Sequence, residues 1–273
     1  MRTSWSKLTA VAISILTVAT WLWAFIARDL VQRYTRGERP GQYRGALDAD
    51  LLDDYGLVFA IAHNAGDDAD TAQAAVDHNT DAVEIDVIMV RGELYAAHAV
   101  PKWLGTRLFR GPRLADAWEI ATQAEAVALD LKDNTPAYEA ALVDFLRQRE
   151  RDQVVLYSRS LESLIRLRDQ LPNVFIYLSV PDRTAFDRVM LGDPLASQLD
   201  GVTMQHAFID EEVVTTVRAA NQRIIAWTVN DLTRVNELVR LGVDAITSDN
   251  LAILELLGGR QRSEPLLRRR GAG

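Results

Sequence analysis

The sequence predicts an α/β protein built as a closed (β/α)8 TIM barrel, and three observations support this fold class. From about residue 57 onward, short β-branched apolar runs alternate with amphipathic helical stretches. Eight such runs fall within about 200 residues, which suits a small closed parallel barrel. An open doubly wound sheet is the alternative, but no GxGxxG follows the first strand and no P-loop follows any other, so its usual nucleotide-binding signals are absent.

The predicted strands are short and rich in Val, Ile, Leu and Ala. They cover residues 57–62, 82–90, 126–131, 154–157, 174–178, 201–204, 224–228 and 245–247. The predicted helices between them carry apolar residues at a helical spacing. They cover residues 71–79, 136–149, 160–171, 211–220, 231–241 and 251–257.

Composition excludes several classes of function. The chain of 273 residues contains no cysteine, so thiol nucleophiles, thiolate metal sites and disulfides are ruled out. Residues 51–259 hold 18 basic and 33 acidic side chains, a net charge of -15. Because such a body repels phosphate backbones, we expect no nucleic-acid partner. The basic ends of the chain are better suited to a membrane surface.

An uncharged stretch near the N-terminus predicts a membrane anchor. Residues 8–27 contain no charged side chain, and 20 helical residues span about 30 Å, the thickness of the hydrocarbon core. A cleaved signal peptide and a buried helix are the alternatives. Basic residues flank the stretch on both sides, so the side of the membrane that the body occupies stays open.

These features divide the chain into four predicted parts. Residues 1–27 form the N-terminal anchor and residues 28–55, which are polar and contain several glycines, form a linker. Residues 56–258 form the barrel, and the Arg-rich residues 259–273 form a disordered tail. We therefore expect a protein of the cell membrane with a single N-terminal span.

Acidic residues alternate with apolar ones on the second predicted strand. Glu84 and Asp86 share one face of this strand, while Ile85 and Val87 occupy the other. Because the apolar face must pack against helices, the carboxylates point into the barrel, where unpaired charges are costly. The third strand repeats this arrangement with Asp130 and Lys132.

Two histidines follow neighbouring strands in the same region. His63 ends the first strand, and His98 ends a short apolar run after the second. In parallel barrels the carboxyl ends of the strands carry the active site. The three carboxylates together with Lys132 leave a net charge of -2, which one divalent cation cancels. Oxygen ligands favour a hard ion, Mg²⁺ or Ca²⁺, over zinc.

With these residues in order, the sequence resembles the glycerophosphodiester phosphodiesterase family of the PLC-like phosphodiesterase superfamily, which also includes sphingomyelinase D enzymes. The matching segments are AHNAG from Ala62, VEIDV from Val83, AAH ending at His98, LDLK from Leu129, AWTVN from Ala226 and LGVDAITSD from Leu241. They span about residues 57–250 of the chain.

The resemblance implies a hydrolase that cleaves glycerophosphodiesters or lysophospholipid-type substrates. It further implies that Glu84, Asp86 and Asp130 bind the metal, that His63 and His98 act as general acid and base, and that Lys132 stabilises phosphate charge. Asn64 and Trp227 would contact the substrate.

The sequence departs from the family pattern at several positions. Asn64 stands where the phosphodiesterases usually have a phosphate-binding arginine, and Asp130 replaces the usual glutamate, as in the sphingomyelinase D branch. The segment between His98 and Asp130 is short, which implies an open mouth and makes a bulky phospholipid substrate plausible. A sphingomyelinase D-like or phospholipase D-like lipid phosphodiesterase and a non-catalytic, membrane-tethered headgroup receptor therefore stay open as alternatives.

Overall fold

The computed structural model describes residues 45–100, 105–149 and 151–258. Within these residues the strands are β1 (Phe59–Ala62), β2 (Ala82–Val90), β3 (Glu93–Ala96), β4 (Ala126–Leu131), β5 (Val154–Ser158), β6 (Phe175–Val180), β7 (Gly201–Gln205), β8 (Arg223–Trp227) and β9 (Ala245–Ser248). The helices are α1 (Leu52–Tyr55), α2 (Ala69–Asp77), α3 (Gly105–Leu108), α4 (Leu114–Ala121), α5 (Pro136–Arg147), α6 (Leu161–Gln170), α7 (Arg183–Gly192), α8 (Glu211–Ala219), α9 (Leu232–Leu241) and α10 (Leu251–Leu257).

Eight parallel strands form a closed barrel. β1 pairs in parallel with both β2 and β9, so the sheet returns to its first strand. Every other neighbouring pair among β2 and β4 to β9 is also parallel. The predicted (β/α)8 barrel is therefore confirmed, and the open doubly wound alternative is wrong.

β3 lies outside the barrel ring and was not predicted as a strand. It pairs antiparallel with β2, after a tight turn at Arg91 and Gly92. Both turn residues have positive φ angles, 56° and 82°, which is the backbone that two-residue hairpins require. The hairpin carries the chain back along β2, toward His98.

Four helices were missed by the sequence analysis: the four-residue helices α1 and α3, and the longer helices α4 and α7, whose start signal or apolar face is weak. α4 begins after Arg113, which provides no side-chain cap, so the sequence lacks the usual helix start signal. α7 buries only Phe186 along its length. By contrast, the bounds of β2, β4 and α10 agree with the prediction.

The strands separate two apolar layers. Inside the barrel a cluster of small and aromatic side chains includes Phe59, Ala82 and Tyr157, whereas Val83 and Ile85 belong to the larger layer between strands and helices. Since successive residues of a strand point to opposite faces, the residues that alternate with Val83 and Ile85 on β2 point into the barrel.

Part of the segment that was predicted as a linker is folded. Ala49–Leu51 forms a 3₁₀ turn that leads into α1. The hydroxyl of the buried Tyr55 donates a 2.6 Å hydrogen bond to Asn236 Oδ1 on α9. Asn236 Nδ2 in turn donates to the carbonyl oxygen of Ala46 at 3.0 Å. Residues 45–55 therefore pack against the barrel and do not act as a tether.

The predicted anchor at residues 8–27 and the predicted tail at residues 259–273 both lie outside the described residues. No helix in the described part of the chain has the length and apolar character needed to cross a bilayer.

Candidate active site

Three carboxylates converge where the first half of β2 runs beside β4. The two strands pair in register, with Glu84 opposite Ala128 and Asp86 opposite Asp130. Each of the three acidic residues has an oxygen atom within 4.8 Å of the others. Glu84 and Asp86 are buried, at 6% and 0% exposure. The alternation of the two strands thus places three acidic side chains in one small volume.

This cluster is electrostatically unfavourable when it stands alone. Burial, together with the charges of Asp130 and Asp86, raises the pKa of Glu84 to about 8. Burial also raises the pKa of Asp130. In addition, Glu84 Oε2 is buried and has no hydrogen-bond partner among the described residues. Oxygen ligands of this kind fit a hard divalent cation, which would complete the coordination of that orphaned oxygen and offset the negative charge.

Lys132 contacts two of the three carboxylates. Its Nζ lies 2.9 Å from Asp86 Oδ1 and also forms an ion pair with Asp130. Burial lowers the pKa of Lys132, but the charges of Asp130 and Asp86 outweigh that effect and raise it. The ammonium group is therefore charged at neutral pH and offsets one of the buried negative charges.

His63 directly follows β1 and is held by a residue that directly follows β9. Its Nδ1 lies 2.7 Å from Asp249 Oδ1, and Asn230 Nδ2 donates to the other carboxylate oxygen at 2.8 Å. Burial lowers the pKa of His63, but the hydrogen bond to Asp249 and the charge of Glu84 outweigh it and raise the pKa to about 9. The imidazole is consequently oriented and protonated at neutral pH.

His98 lies beyond β3 and is far more exposed than His63. Its Nδ1 lies 2.8 Å from Asp86 Oδ2, and 74% of its side chain is exposed while Asp86 is fully buried. Asp86 thus contacts His98 through one oxygen and Lys132 through the other. Both histidines use Nδ1 to contact a carboxylate, so Nε2 is the ring nitrogen that remains for proton transfer. In His63 this nitrogen also lies 3.4 Å from the hydroxyl oxygen of Thr228.

The two predicted substrate contacts also lie at this end of the barrel. Asn64 has a left-handed backbone, with φ 48° and ψ 18°, and precedes the 3₁₀ turn Ala65–Asp67. Trp227 is the last residue of β8, and its Nε1 is buried without a hydrogen-bond partner in the described part of the chain.

A cavity of about 600 Å³ opens at the carboxyl ends of the strands and brings most of the predicted site residues together. Its walls include His63, Asn64, Glu84, His98, Asp130, Lys132 and Trp227. Asp86 is fully buried, contacts both Lys132 and His98, and does not line the cavity. Because the ends of several strands meet in one cavity, the arrangement suits chemistry on a small polar molecule.

Sequence reasoning missed four residues at this site. Asp249 holds His63, and Asp67 accepts a 2.9 Å hydrogen bond from the backbone N–H of Asp86. Burial and the charge of Asp86 raise the pKa of Asp67 to about 8. Tyr157 and Arg159 line the cavity from β5 and the residues after it. Asp249 and Arg159 each follow a strand end, the same signal that pointed to His63, whereas nothing local marks Asp67.

A comparison with protein-family models matches residues 109–253 to the glycerophosphoryl diester phosphodiesterase family. This stretch covers more than half of the chain and runs from before β4 into α10. The chain belongs to this family. The matched stretch contains Asp130, Lys132 and Trp227, whereas His63, Glu84 and the other residues of the site that precede residue 109 are placed by their geometry.

Among curated proteins, this chain is similar to the glycerophosphodiester phosphodiesterase GDPD4 of Arabidopsis thaliana. The two are 29% identical over 218 residues, which make up 77% of this chain and 63% of the plant protein. The chain therefore spans less than two thirds of the length of that relative.

Solved structures show the same fold at lower identity. A phosphodiesterase of Oleispira antarctica, determined with its product sn-glycerol-3-phosphate, is 22% identical with a TM-score of 0.61, over 74% of this chain and 97% of that one. A glycerophosphodiester phosphodiesterase of Thermotoga maritima is 14% identical with a TM-score of 0.54, over 71% and 95% of the two chains. This chain therefore has the same fold as these solved structures.

Proposed function

We propose that this chain hydrolyses glycerophosphodiesters to glycerol phosphate and an alcohol, with a divalent cation and a pair of histidines. The observation that carries the proposal is the meeting of His63, His98, Lys132, Glu84 and Asp130 in one cavity of a family barrel, with the buried Asp86 beside them in the acidic cluster. The product bound to the Oleispira antarctica relative supports this choice of substrate class.

Glu84, Asp86 and Asp130 would hold the cation. Their oxygens are close enough to act as ligands of one ion, and carboxylates suit Mg²⁺ or Ca²⁺. When bound, a divalent cation supplies Lewis-acid polarisation of a phosphoryl oxygen. Lys132 adds a fixed positive charge beside this cluster, where charge on the phosphoryl oxygens increases toward the transition state.

We assign the proton transfers from the hydrogen bonds of the two imidazoles. His63 is protonated at neutral pH, with its Nδ1 held by Asp249, so its Nε2 donates a proton to the leaving alcohol oxygen. His98, held at Nδ1 by Asp86, accepts a proton at Nε2 from the attacking hydroxyl. One P–O bond forms as the other breaks, and the two protons balance. The attacking hydroxyl belongs to water or to the substrate itself.

The first experiment identifies which substrate is hydrolysed and which of its bonds is cleaved. The purified protein is incubated with glycerophosphocholine, lysophosphatidylcholine and sphingomyelin, with and without EDTA, and products are identified by phosphorus NMR. We expect turnover of glycerophosphocholine that stops in EDTA. Full activity in EDTA would overturn the metal assignment, and turnover of sphingomyelin alone would favour a sphingomyelinase D-like activity. A well-folded protein that cleaves none of the three would favour a headgroup receptor.

A second experiment tests the residue roles. We expect His63→Gln and Glu84→Gln each to abolish turnover while leaving the thermal unfolding transition cooperative. His78→Gln is a matched control, because His78 directly follows α2, contacts the carbonyl oxygen of Ala74 in that helix and does not line the cavity. Near wild-type rates in either site variant would contradict the assigned role.

We further propose that residues 8–27 anchor the enzyme in the cell membrane. The proposal is supported by their length and their lack of charge. We expect the full chain to stay with membranes after a carbonate wash and a chain lacking residues 1–27 to be released. Protease treatment of intact cells then reports on which side of the membrane the barrel lies.

A further inference from the structure

A positive side chain that no assigned role uses lies at the mouth of the cavity. Arg159 directly follows β5, is exposed and lines the cavity. β5 pairs with β4 so that Tyr157 stands opposite Asp130. Lys132 follows Asp130 by two residues, and Arg159 follows Tyr157 by two residues. Because side chains two residues apart on a strand share a face, Lys132 and Arg159 continue the inward-facing rows of β4 and β5 toward the mouth of the barrel.

The two cations differ in what they contact. Lys132 forms ion pairs with both Asp86 and Asp130, so its charge is already balanced within the protein. Arg159 forms no ion pair or side-chain hydrogen bond with any of the residues that the structure describes. Among the described residues that line the cavity, Arg159 is thus the permanently charged cation without a carboxylate partner.

An anionic substrate needs a positive charge at the level of Arg159 in the barrel. Glu84, Asp130 and Asp133 place three carboxyl groups on the cavity wall. A phosphodiester that reaches the acidic cluster from the open end must pass the level of Lys132 and Arg159. A guanidinium group offers two parallel N–H donors that match the non-bridging oxygens of a phosphate. Asn64, on the wall formed by the end of β1, can offer only a neutral amide.

We propose that Arg159 binds a non-bridging oxygen of the substrate phosphodiester and is a further catalytic residue of this enzyme. The inference rests on the proposed function, because it assumes that the cavity takes a phosphodiester. Arg159 contacts the phosphate and not the variable alcohol, so it serves every substrate of the enzyme to the same degree.

Kinetics of Arg159→Gln and Arg159→Lys test this assignment. Loss of a hydrogen bond between two charged groups lowers kcat/KM about 10- to 100-fold. We expect this loss in Arg159→Gln to be equal for glycerophosphocholine, glycerophosphoethanolamine and glycerophosphoglycerol, and Arg159→Lys to recover part of it. Arg188→Gln is the matched control, because Arg188 is an exposed arginine of α7 that does not line the cavity.

A binding measurement separates this inference from the proposed function. Calorimetric titration with inorganic phosphate, in the presence of Mg²⁺, should show binding that is weakened by Arg159→Gln and unchanged by Arg188→Gln. If the wild type turns over no phosphodiester, the proposed function fails, and the titration still tests Arg159. Wild-type kinetics and wild-type phosphate binding in Arg159→Gln would overturn the inference. So would a loss of kcat/KM that depends on the charge of the alcohol, because this would place Arg159 at the headgroup.

Discussion

Nδ1 of His63 lies 2.7 Å from Oδ1 of Asp249, and this contact joins the residues that directly follow the first and last strands of the barrel. The backbone N–H of His63 also donates to the carbonyl oxygen of Ser248 at 3.0 Å. Closure of the barrel therefore positions the imidazole, because β1 and β9 are neighbours only in the closed ring. Asn230 donates a hydrogen bond to Asp249, which holds the carboxylate in the position from which it orients His63.

We predict that Asp249→Asn lowers both the pKa of His63 and the turnover rate. The amide cannot supply the negative charge that raises this pKa to about 9, so the imidazole should titrate closer to 6.5. Turnover should fall about 10- to 100-fold, the effect of losing a charge-assisted hydrogen bond. NMR titration of the histidine resonances, assigned with His63→Gln, measures the pKa. An unchanged titration of His63 would show that Asp249 does not set its protonation.

We predict that the metal-free enzyme loses stability as the pH rises toward 9. The pKa of His63 is raised above its unfolded value of 6.5 to about 9, so its protonated form stabilises the fold fully below pH 6.5 and this contribution is lost through pH 9. The pKa of Glu84 is also raised, from 4.5 to about 8, and its ionisation destabilises the fold over that interval. Thermal unfolding in EDTA across this range measures the loss.

A divalent cation should reverse that trend. Because the carboxylates must be ionised to act as ligands, we predict that the gain in Tm from Mg²⁺ or Ca²⁺ is larger at pH 8.5 than at pH 6. At a cation concentration about 100 times the Kd, the stabilisation is about 2.7 kcal/mol. Glu84→Gln should lose this gain, and Glu255→Gln, at an exposed position of α10, should keep it. A gain that Glu84→Gln retains would place the ion elsewhere.

We predict that Gly66→Ala destabilises the fold and impairs the active site. A Cβ atom at Gly66 would lie 2.3 Å from Cγ1 of Ile85 and 3.1 Å from the carbonyl oxygen of Glu84. Such overpacking costs about 1–3 kcal/mol, and relief requires movement of the strand that carries two of the three carboxylates. Urea unfolding and turnover are compared with Gly192→Ala, where no atom lies within 4 Å of the added methyl group. Equal behaviour of the two variants would refute the prediction.

We predict that Tyr55→Phe lowers the free energy of unfolding by about 1–3 kcal/mol, because it leaves buried polar groups unpaired. The lost hydroxyl donates to Asn236 Oδ1 and accepts from the backbone N–H of Asp48. Tyr95→Phe is the control, since the hydroxyl of that buried tyrosine makes no hydrogen bond within the described residues. A difference between the two variants below about 0.5 kcal/mol would show that residues 45–55 add little to the barrel.

Local alternation in the sequence predicted the fold and the acidic face of the site. The bounds of β2 and β4 follow from runs of mainly apolar residues, and a strand period of two residues places Glu84 and Asp86 on one face. The same rule pairs Asp130 with Lys132. Eight such strands in a chain of this size leave few alternatives to a closed barrel. These inferences need only neighbouring residues, which the sequence supplies directly.

Contacts between distant residues were decided by the tertiary structure alone. Asp249 and His63 are 186 positions apart, and Tyr55 and Asn236 are 181 positions apart. No local periodicity encodes such pairs, because their distance depends on how the strands close into a ring. The free charge of Arg159 is also a tertiary property, since only the packed barrel shows that Lys132 is paired while Arg159 is not. The sequence therefore determined which side chains face the interior of this barrel, and closure of the ring determined which of them meet.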